Sequence, residues 1–310
     1  MDADVRELFA RSIGDATAMH TGAALDAALV DLGWRDALAV DERDAVSILF
    51  ELQGANNTTS SSLEAVMLDA LGAEADAIVL PALGQWRAPA RHNGDRFAVD
   101  GLLLAESDHV FVGGQSGDKV LAAVVPTDAL DIRPVHGIDP ALRLRQVRGE
   151  VTTTEARLVD WTAATACARR AIAHELIGAS RTMLELARLH ALERVQFGHP
   201  IATFQAVRHR LADTLVAIET ADAALVEAWE DKSAVAAAMA KAIAGRGART
   251  SARHCQQVLA GMGFTTEHPL HRYIRRALVL DQLAGSSKLL TIELGEQLVT
   301  SRALPPLVPL

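Results

Sequence analysis

The hydrophobic periodicity of this 310-residue chain changes twice, and those two changes constrain the fold more than any single motif. Up to residue 75, apolar residues recur in short runs at helical spacing, which predicts helices over 22–31, 42–53 ("ERDAVSILFELQ") and 61–72 ("SSLEAVMLDALG"). The polar "GANNTTSSS" separates the last two, with Ser60 or Ser61 as N-cap. From 76 to 156 the period drops to two. "DRFAVDGLLLA", "DHVFVGG", "DKVLAAVVP" and "LRLRQVRGEV" lie between Asn-Gly, Gly-Gly and Ser-Gly-Asp turns. Short strands without intervening helices predict an antiparallel sheet or barrel and not a βαβ unit.

From 158 onwards the helical period returns. Ile172, Leu176, Ala179, Met183 and Leu186 follow three-and-four spacing, and so do Phe204, Val207, Leu211, Leu215, Ile218, Leu225 and Trp229. With the alanine-rich 233–263 and with 286–302 they predict a four-helix bundle. The expected fold class is therefore α+β, mostly α. A helical region covers 1–75, a middle antiparallel β-domain 76–156 and the bundle 157–302. The tail 303–310, "ALPPLVPL", is excluded from any helix by its prolines and reads as a free end or a docking strap.

The composition excludes several functions. A net charge of −9 offers nothing to neutralise a phosphate backbone, so no nucleic-acid partner is expected. No apolar run reaches the roughly 18 residues of a membrane span, and "MDADVRELFARS" has no signal-peptide core; a cytoplasmic protein is expected. Cys167 and Cys255 lack metal-ligand spacing and read as buried free thiols.

Most motif-like stretches are weak. "VGGQSGDK" (112–119) lacks phosphate-loop spacing and reads as a hairpin turn, "LAGMGF" (259–264) follows no strand, and "GASRT" around Ser180 lies inside a helix. His174-Glu175 lacks the second histidine of a zinc helix and reads as a partly exposed pair. His268 and His271 read as structural histidines at a helix start. "ERVQFGHPIATFQAVRHRLAD" (193–213) is different: a cation, an aromatic and a glycine lie between two long helices. Arg194 near a helix end, with backbone amides freed around Gly198, suits a diphosphate; an ordinary interhelical turn with a surface arginine suits the spacing equally.

That segment resembles the R-x-Q-F-G-x-P-I-x-x-F-Q motif of the acyl-CoA dehydrogenase family, and "QQVLAGMGFTTEHPLHRYIRRA" (256–277) resembles its Q-x-x-G-G-x-G-[FY]-x-x-E-x-P-x-x-R-x-x-R-D run. The resemblance implies FAD, shared between subunits, with its adenine and diphosphate half reaching into the neighbour's bundle. Carried over by position, Arg194, Gln196 and Phe197 would contact the diphosphate region, Gln257 and Gly261 the adenosine side, and Gln205 would be a neighbour. Ala260 replaces the first glycine of the family's pair.

The departures bear on catalysis. In the family a glutamate removes the α-proton of an acyl-CoA while the β-hydride passes to the flavin. The two positions that carry this base in different members fall on Ala284 and Ala168, neither able to accept a proton. The strand and tryptophan segment that cradle the isoalloxazine ring in the family are missing, and the N-terminal helical region is short. This combination resembles the small subunits of heteromeric acyl-CoA dehydrogenases of actinobacterial steroid breakdown. It implies no catalytic residue in this chain, a full-length catalytic subunit as α2β2 partner, and an acyl-CoA bound mainly by that partner. Two other readings stay open: a self-sufficient enzyme with Glu175 or Asp281 as relocated base, and a flavin-free interaction protein.

Overall fold

The computed structural model describes residues 1–302, so the tail 303–310 lies outside the described residues. Five helices come first: α1 (Ala3–Met19), α2 (Ala23–Asp31), α3 (Trp34–Val40), α4 (Glu42–Asn56) and α5 (Ser62–Ala70). The sequence pattern points to α2, α4 and α5 but not to the other two. α1 buries little beyond Ile13, Ala16 and Thr17, so its apolar stripe is faint, and α3 has only seven residues. Ser61 stands at the start of α5 without capping it. Its N–H and hydroxyl donate to Asp26 Oδ1 instead, at 2.7 and 3.0 Å, tying α5 to α2.

Eight strands follow: β1 (Leu80–Pro81), β2 (Ala90–Asn93), β3 (Arg96–Leu103), β4 (His109–Ser116), β5 (Lys119–Pro126), β6 (Asp131–Pro134), β7 (Arg145–Thr152) and β8 (Arg157–Val159). They form one sheet in the order β6-β7-β3-β2-β4-β5-β8, with β1 beside β3. The expectation of a wholly antiparallel domain needs correction: β2 and β4 run parallel, pairing Ala90 with Gly114 and Arg91 with Gln115. The sheet also extends past residue 156, because β8 pairs with β5. "VGGQSGDK" is a hairpin, with Ser116 opposite Lys119 and Gly117 left-handed (φ 59°) at the turn. Alternation gives the sheet two apolar faces. Phe97, Val99, Val110 and Val112 form its own core, while Leu102 and Phe111 join the helical core.

The remaining helices are α6 (Trp161–Glu193), α7 (Gln205–Asp231), α8 (Ala234–Leu259), α9 (Leu270–Leu280) and α10 (Ser287–Ser301). α6, α7 and α8 alternate in direction, α10 packs on α8, and α9 contacts both α6 and α8. α4 is pressed onto α6 at a glycine crossing. A Cβ on Gly178 would stand 2.1 Å from the Glu51 carbonyl oxygen, and one on Gly54 2.1 Å from that of Glu175. Only glycine at both positions lets the two backbones touch. The overall class is the α+β, mostly helical one expected, and no helix is long and apolar enough to cross a membrane.

Candidate functional site

The two alanines separated by 116 positions in sequence meet across one small cavity. Ala168 on α6 and Ala284 in the α9–α10 turn line it together with Leu63, Met67, Leu80 and Ile172. Both are buried, at 1% and 8% exposure. About 10 Å³ of space remains there, at the lower limit of the roughly 10–15 Å³ that a single water needs. The space is apolar, and neither candidate carboxylate lines it.

Glu175 instead faces the opposite seam of α6. Gln53 Nε2 donates to its Oε2 at 3.1 Å, and Arg276 Nη1 lies 3.4 Å from Oε1. Burial pushes its pKa up to about 7, with Arg276 and Gln53 opposing the shift. Arg276, fully buried, also binds Asp139 and donates to the Thr58 carbonyl and, at 2.9 Å, to Thr59 Oγ1. It thereby joins α9, the loop before α5 and the sheet. The reading of His174-Glu175 as partly exposed is overturned: both are buried. His174 Nδ1 is 2.9 Å from Glu51 Oε1, and Trp229 Nε1 donates to its Nε2 at 3.0 Å, which fixes the ring as a core element.

Asp281 is spent on the turn itself. Its carboxylate accepts from Arg249 Nε and Nη2 (2.9 and 2.6 Å) and from the Ser287 amide (3.1 Å). Lys241, fully buried, donates to the carbonyls of Asp281 (2.5 Å) and Gly285 (2.8 Å), and Arg169 Nε donates to that of Ala284 (3.1 Å). Burial lowers the Lys241 pKa to about 7 against the pull of Asp281. Ala284 and Gly285 are both left-handed (φ 53° and 99°), and Ser286 Oγ caps α10 by accepting from Leu289 N–H at 3.3 Å. Lys241 carries a local signal in sequence: one of four lysines, it stands in "AMAKAIAG" among apolar, mostly small side chains. Arg276 likewise stands where the family run ends in aspartate.

Beyond the turn, Trp86, Trp161 and Arg169 line a cavity of about 270 Å³ at the seam between sheet and bundle. Gly113 leaves room for the Trp161 ring, which a Cβ would approach to 2.7 Å, and Trp161 Nε1 donates to the Trp86 carbonyl at 3.1 Å. The Arg169 guanidinium sits 6.0 Å from the Trp86 ring centroid.

The motif residues lie together at the other end of the bundle. Thr214 meets His254 and Ala217 meets Gly247, so α7 and α8 are antiparallel, and 194–205 and 257–261 share one end. Val195–Gln196 and His199–Pro200 form a hairpin whose tip residues, Phe197 (φ 53°) and Gly198 (φ 81°), are both left-handed. Arg194, Gln196, Gln205, Gln257 and Gly261 are all exposed, and Phe197 is 90% exposed. The side chains of Arg194, Gln205 and Gln257 make no hydrogen bond or ion pair with the described residues, whereas Gln196 Nε2 returns to the Val195 carbonyl at 2.7 Å. Nothing lies within 4 Å of where Cβ atoms on Gly198 or Gly261 would stand, so both backbones are open to approach from outside. Ala260, in place of a glycine, keeps the backbone glycine would favour (φ 49°, ψ −130°). His268 accepts from the Leu270 amide at 3.2 Å, a structural role at the start of α9.

The thiols are inert: burial pushes both Cys167 and Cys255 up to about 12, and Cys167 is half-buried, not fully buried as expected.

A helical bundle packed on a β-sheet, with a small alanine-lined cavity on one side and an open motif hairpin at the bundle's other end, is the class these features define. Residues 139–299 match the acyl-CoA dehydrogenase C-terminal domain. The chain is 30% identical to acyl-CoA dehydrogenase IpdE2 of Mycobacterium tuberculosis over 302 residues, 91% of this chain and 94% of that protein. It belongs to the acyl-CoA dehydrogenase family, a family of oxidoreductases. Two solved structures share the fold across nearly the whole length. The ChsE4-ChsE5 complex from Mycobacterium tuberculosis gives a TM-score of 0.80 at 16% identity, covering 99% of each chain. The Tcur3481-Tcur3483 steroid ACAD gives 0.77 at 20% identity, covering 97% of this chain and 98% of that one.

Proposed function

We propose that this chain is the non-catalytic partner subunit of a heteromeric FAD-dependent acyl-CoA dehydrogenase, an α2β2 assembly, that desaturates a bulky, steroid-derived acyl-CoA. The single observation that carries the reading is the contrast between the two ends of the bundle. Where a base would act, Ala168 and Ala284 face each other across about 10 Å³. At the other end Arg194, Phe197 and Gln257 stand exposed. A non-glycine residue held left-handed costs about 1–2 kcal/mol, and an aromatic left in water forfeits its burial. Phe197 carries both costs, which fits a surface covered in the assembly.

The residues fit one half of the cofactor. Arg194 would pair with the diphosphate, Gln196 and Phe197 would pack beside it with Gln205 as neighbour, and Gln257 and Gly261 would meet the adenosine. When bound, FAD would supply the acceptor for the substrate's β-hydride, with the α-proton passing to a glutamate of the catalytic subunit. This chain's part is to hold and orient the outer half of the cofactor and to exclude water from it. Two of the similar structures are described as a complex of two components or as a steroid enzyme, which supports both the partner and the substrate class.

Co-expression with a full-length acyl-CoA dehydrogenase is expected to give a yellow heterotetramer, and this chain alone a colourless protein. Losing one charged hydrogen bond of about 1.5–3 kcal/mol, Arg194→Ala should weaken flavin retention roughly 10–100-fold without dissociating the subunits. Unchanged flavin content in Arg194→Ala, or a yellow active chain by itself, would refute the reading.

A further inference from the structure

The 270 Å³ cavity at the seam between sheet and bundle is walled by Trp86, Val120, Trp161 and Leu294, and Arg169 lines it from α6. Arg169 is only 6% exposed, yet a single one of its nitrogens is in use: Nε donates to the Ala284 carbonyl at 3.1 Å. Nη2 is enclosed without a hydrogen-bond partner, and Nη1 makes no hydrogen bond with the described residues either. Glu293 of α10, on the same wall, is the one carboxylate among the described residues whose charge bears on Arg169, and it forms no ion pair with it. Lys241, also buried, is a second cation that repels it. Burial accordingly lowers the Arg169 pKa to about 10. A buried guanidinium with two unspent nitrogens is destabilising until an anion meets it.

The other buried donors on this wall are spent. Thr165 Oγ1 donates to the Trp161 carbonyl at 2.8 Å, and Trp161 Nε1 to the Trp86 carbonyl at 3.1 Å. The exposed charges that line the cavity, Arg87 and Asp118, are one of each sign. Arg169 is therefore the group that selects what enters. We propose that the cavity binds a small carboxylate with an apolar body, the carboxylate on the unspent edge of the Arg169 guanidinium and the body against the indole rings. A guanidinium presents paired N–H groups that match the two oxygens of a carboxylate, and its plane lies 6.0 Å from the Trp86 ring centroid, so the two ends of such a ligand meet their partners side by side. The volume lies just under the ~300–1,000 Å³ of ordinary small-molecule clefts, which suits one ring or a short chain and not a CoA thioester.

Isothermal titration with benzoate, and with benzamide as its neutral counterpart, tests the site in the full chain, alone and purified with its co-expressed catalytic subunit where one associates. Expected is saturable binding of benzoate at one site per copy of this chain in both forms, with benzamide at least about 10-fold weaker. Arg169→Met keeps the buried stem and removes the charge; it should weaken benzoate roughly 10–100-fold and leave benzamide unchanged. Thr162→Trp narrows the cavity from an exposed position with Arg169 in place. It should abolish binding of both, and it keeps the test decisive if Arg169→Met does not fold. Equal affinity for the two probes, benzoate binding unchanged in either variant, or no saturable binding overturns the proposal. Binding confined to the chain alone overturns it too, because the carboxylate on Arg169 would then be a side chain of the catalytic subunit. The readout is benzoate affinity and not flavin content, so this site and the partner-subunit reading can fail separately.

Discussion

Ala284→Glu places a carboxylate at the position to which the family resemblance assigns the base and is the sharpest test of whether this turn is merely unequipped or closed. Glutamate adds four heavy atoms beyond Cβ to a cavity with about 10 Å³ of space, walled by Leu63, Met67, Leu80 and Ile172. Overpacking of this kind costs typically ~1–3 kcal/mol. The new carboxylate is also taken out of water, and the neighbouring cations, Arg169 and Lys241, already donate to the Ala284 and Gly285 carbonyls. An inserted carboxyl in an apolar site is driven to its neutral form, with a further cost of about 1–3 kcal/mol for an unsatisfied polar group. Together these give an expected destabilisation of about 2–6 kcal/mol with no gain of dehydrogenation by the chain. Urea unfolding of wild type and variant, followed by tryptophan fluorescence, measures the first quantity. Acyl-CoA-dependent reduction of an electron acceptor, assayed with and without added FAD, measures the second. A variant of unchanged stability that oxidises an acyl-CoA by itself would show that the cavity opens readily, and the partner-subunit reading would lose its main support.

Glu175→Gln should leave the activity of the assembly unchanged, because Glu175 faces Gln53 and Arg276 and not the alanine cavity. The same variant has a pH signature. The folded-state pKa of Glu175 is raised to about 7, so its stabilising contribution is full below the ordinary value of 4.5 and is lost as pH rises towards 7. Denaturation midpoints across that window should fall with pH more steeply in wild type than in Glu175→Gln. Ala260→Gly should raise stability by about 1 kcal/mol, since it relieves a left-handed alanine; calorimetry would read this as a higher midpoint, and a lower one would disprove the strain. Gly178→Ala should cost more than about 3 kcal/mol or prevent soluble expression, because the new Cβ meets the Glu51 carbonyl at 2.1 Å; a variant as soluble and stable as wild type would mean α4 can retreat from α6.

Much of the helical scaffold is legible because burial imposes a period. Ile172, Met183, Ile218, Leu225 and Trp229, all singled out by spacing, are buried, and the hairpin between β4 and β5 follows from its Gly-Asp turn. What escapes is whatever depends on partners distant in sequence. Nothing local to Ala90 or Gly114 marks their parallel pairing, and nothing local to His174 foretells Glu51 on one side and Trp229 on the other. Leu215 shows the reverse. It fits the helical stripe of α7 yet remains 48% exposed, because spacing identifies an apolar face without saying whether this chain or another covers it. The two alanine positions are visible in sequence only through the family resemblance; that they line one small cavity is a fact of the fold.

The α9–α10 turn illustrates how architecture and chemistry can be separated physically. None of the contacts that hold it involves the side chain at position 284. Lys241 and Arg169 hold three carbonyls of the turn, at residues 281, 284 and 285, where the end of α9 concentrates partial negative charge. Asp281 in turn is held by Arg249 and the Ser287 amide, and a Cβ at Gly245 would collide with its Oδ1 at 2.0 Å, so α8 has given up a side chain to admit it. A turn fixed through its backbone and through a neighbouring carboxylate keeps its path whether position 284 bears a carboxyl or a methyl group. Breaking the clamp is then far more damaging than changing the residue it presents: Lys241→Ala would leave two buried carbonyls without donors and Asp281 short of a nearby cation 3.8 Å away. The methyl group of Ala284 is the least constrained part of the turn by its own contacts and the most constrained by the cavity it faces.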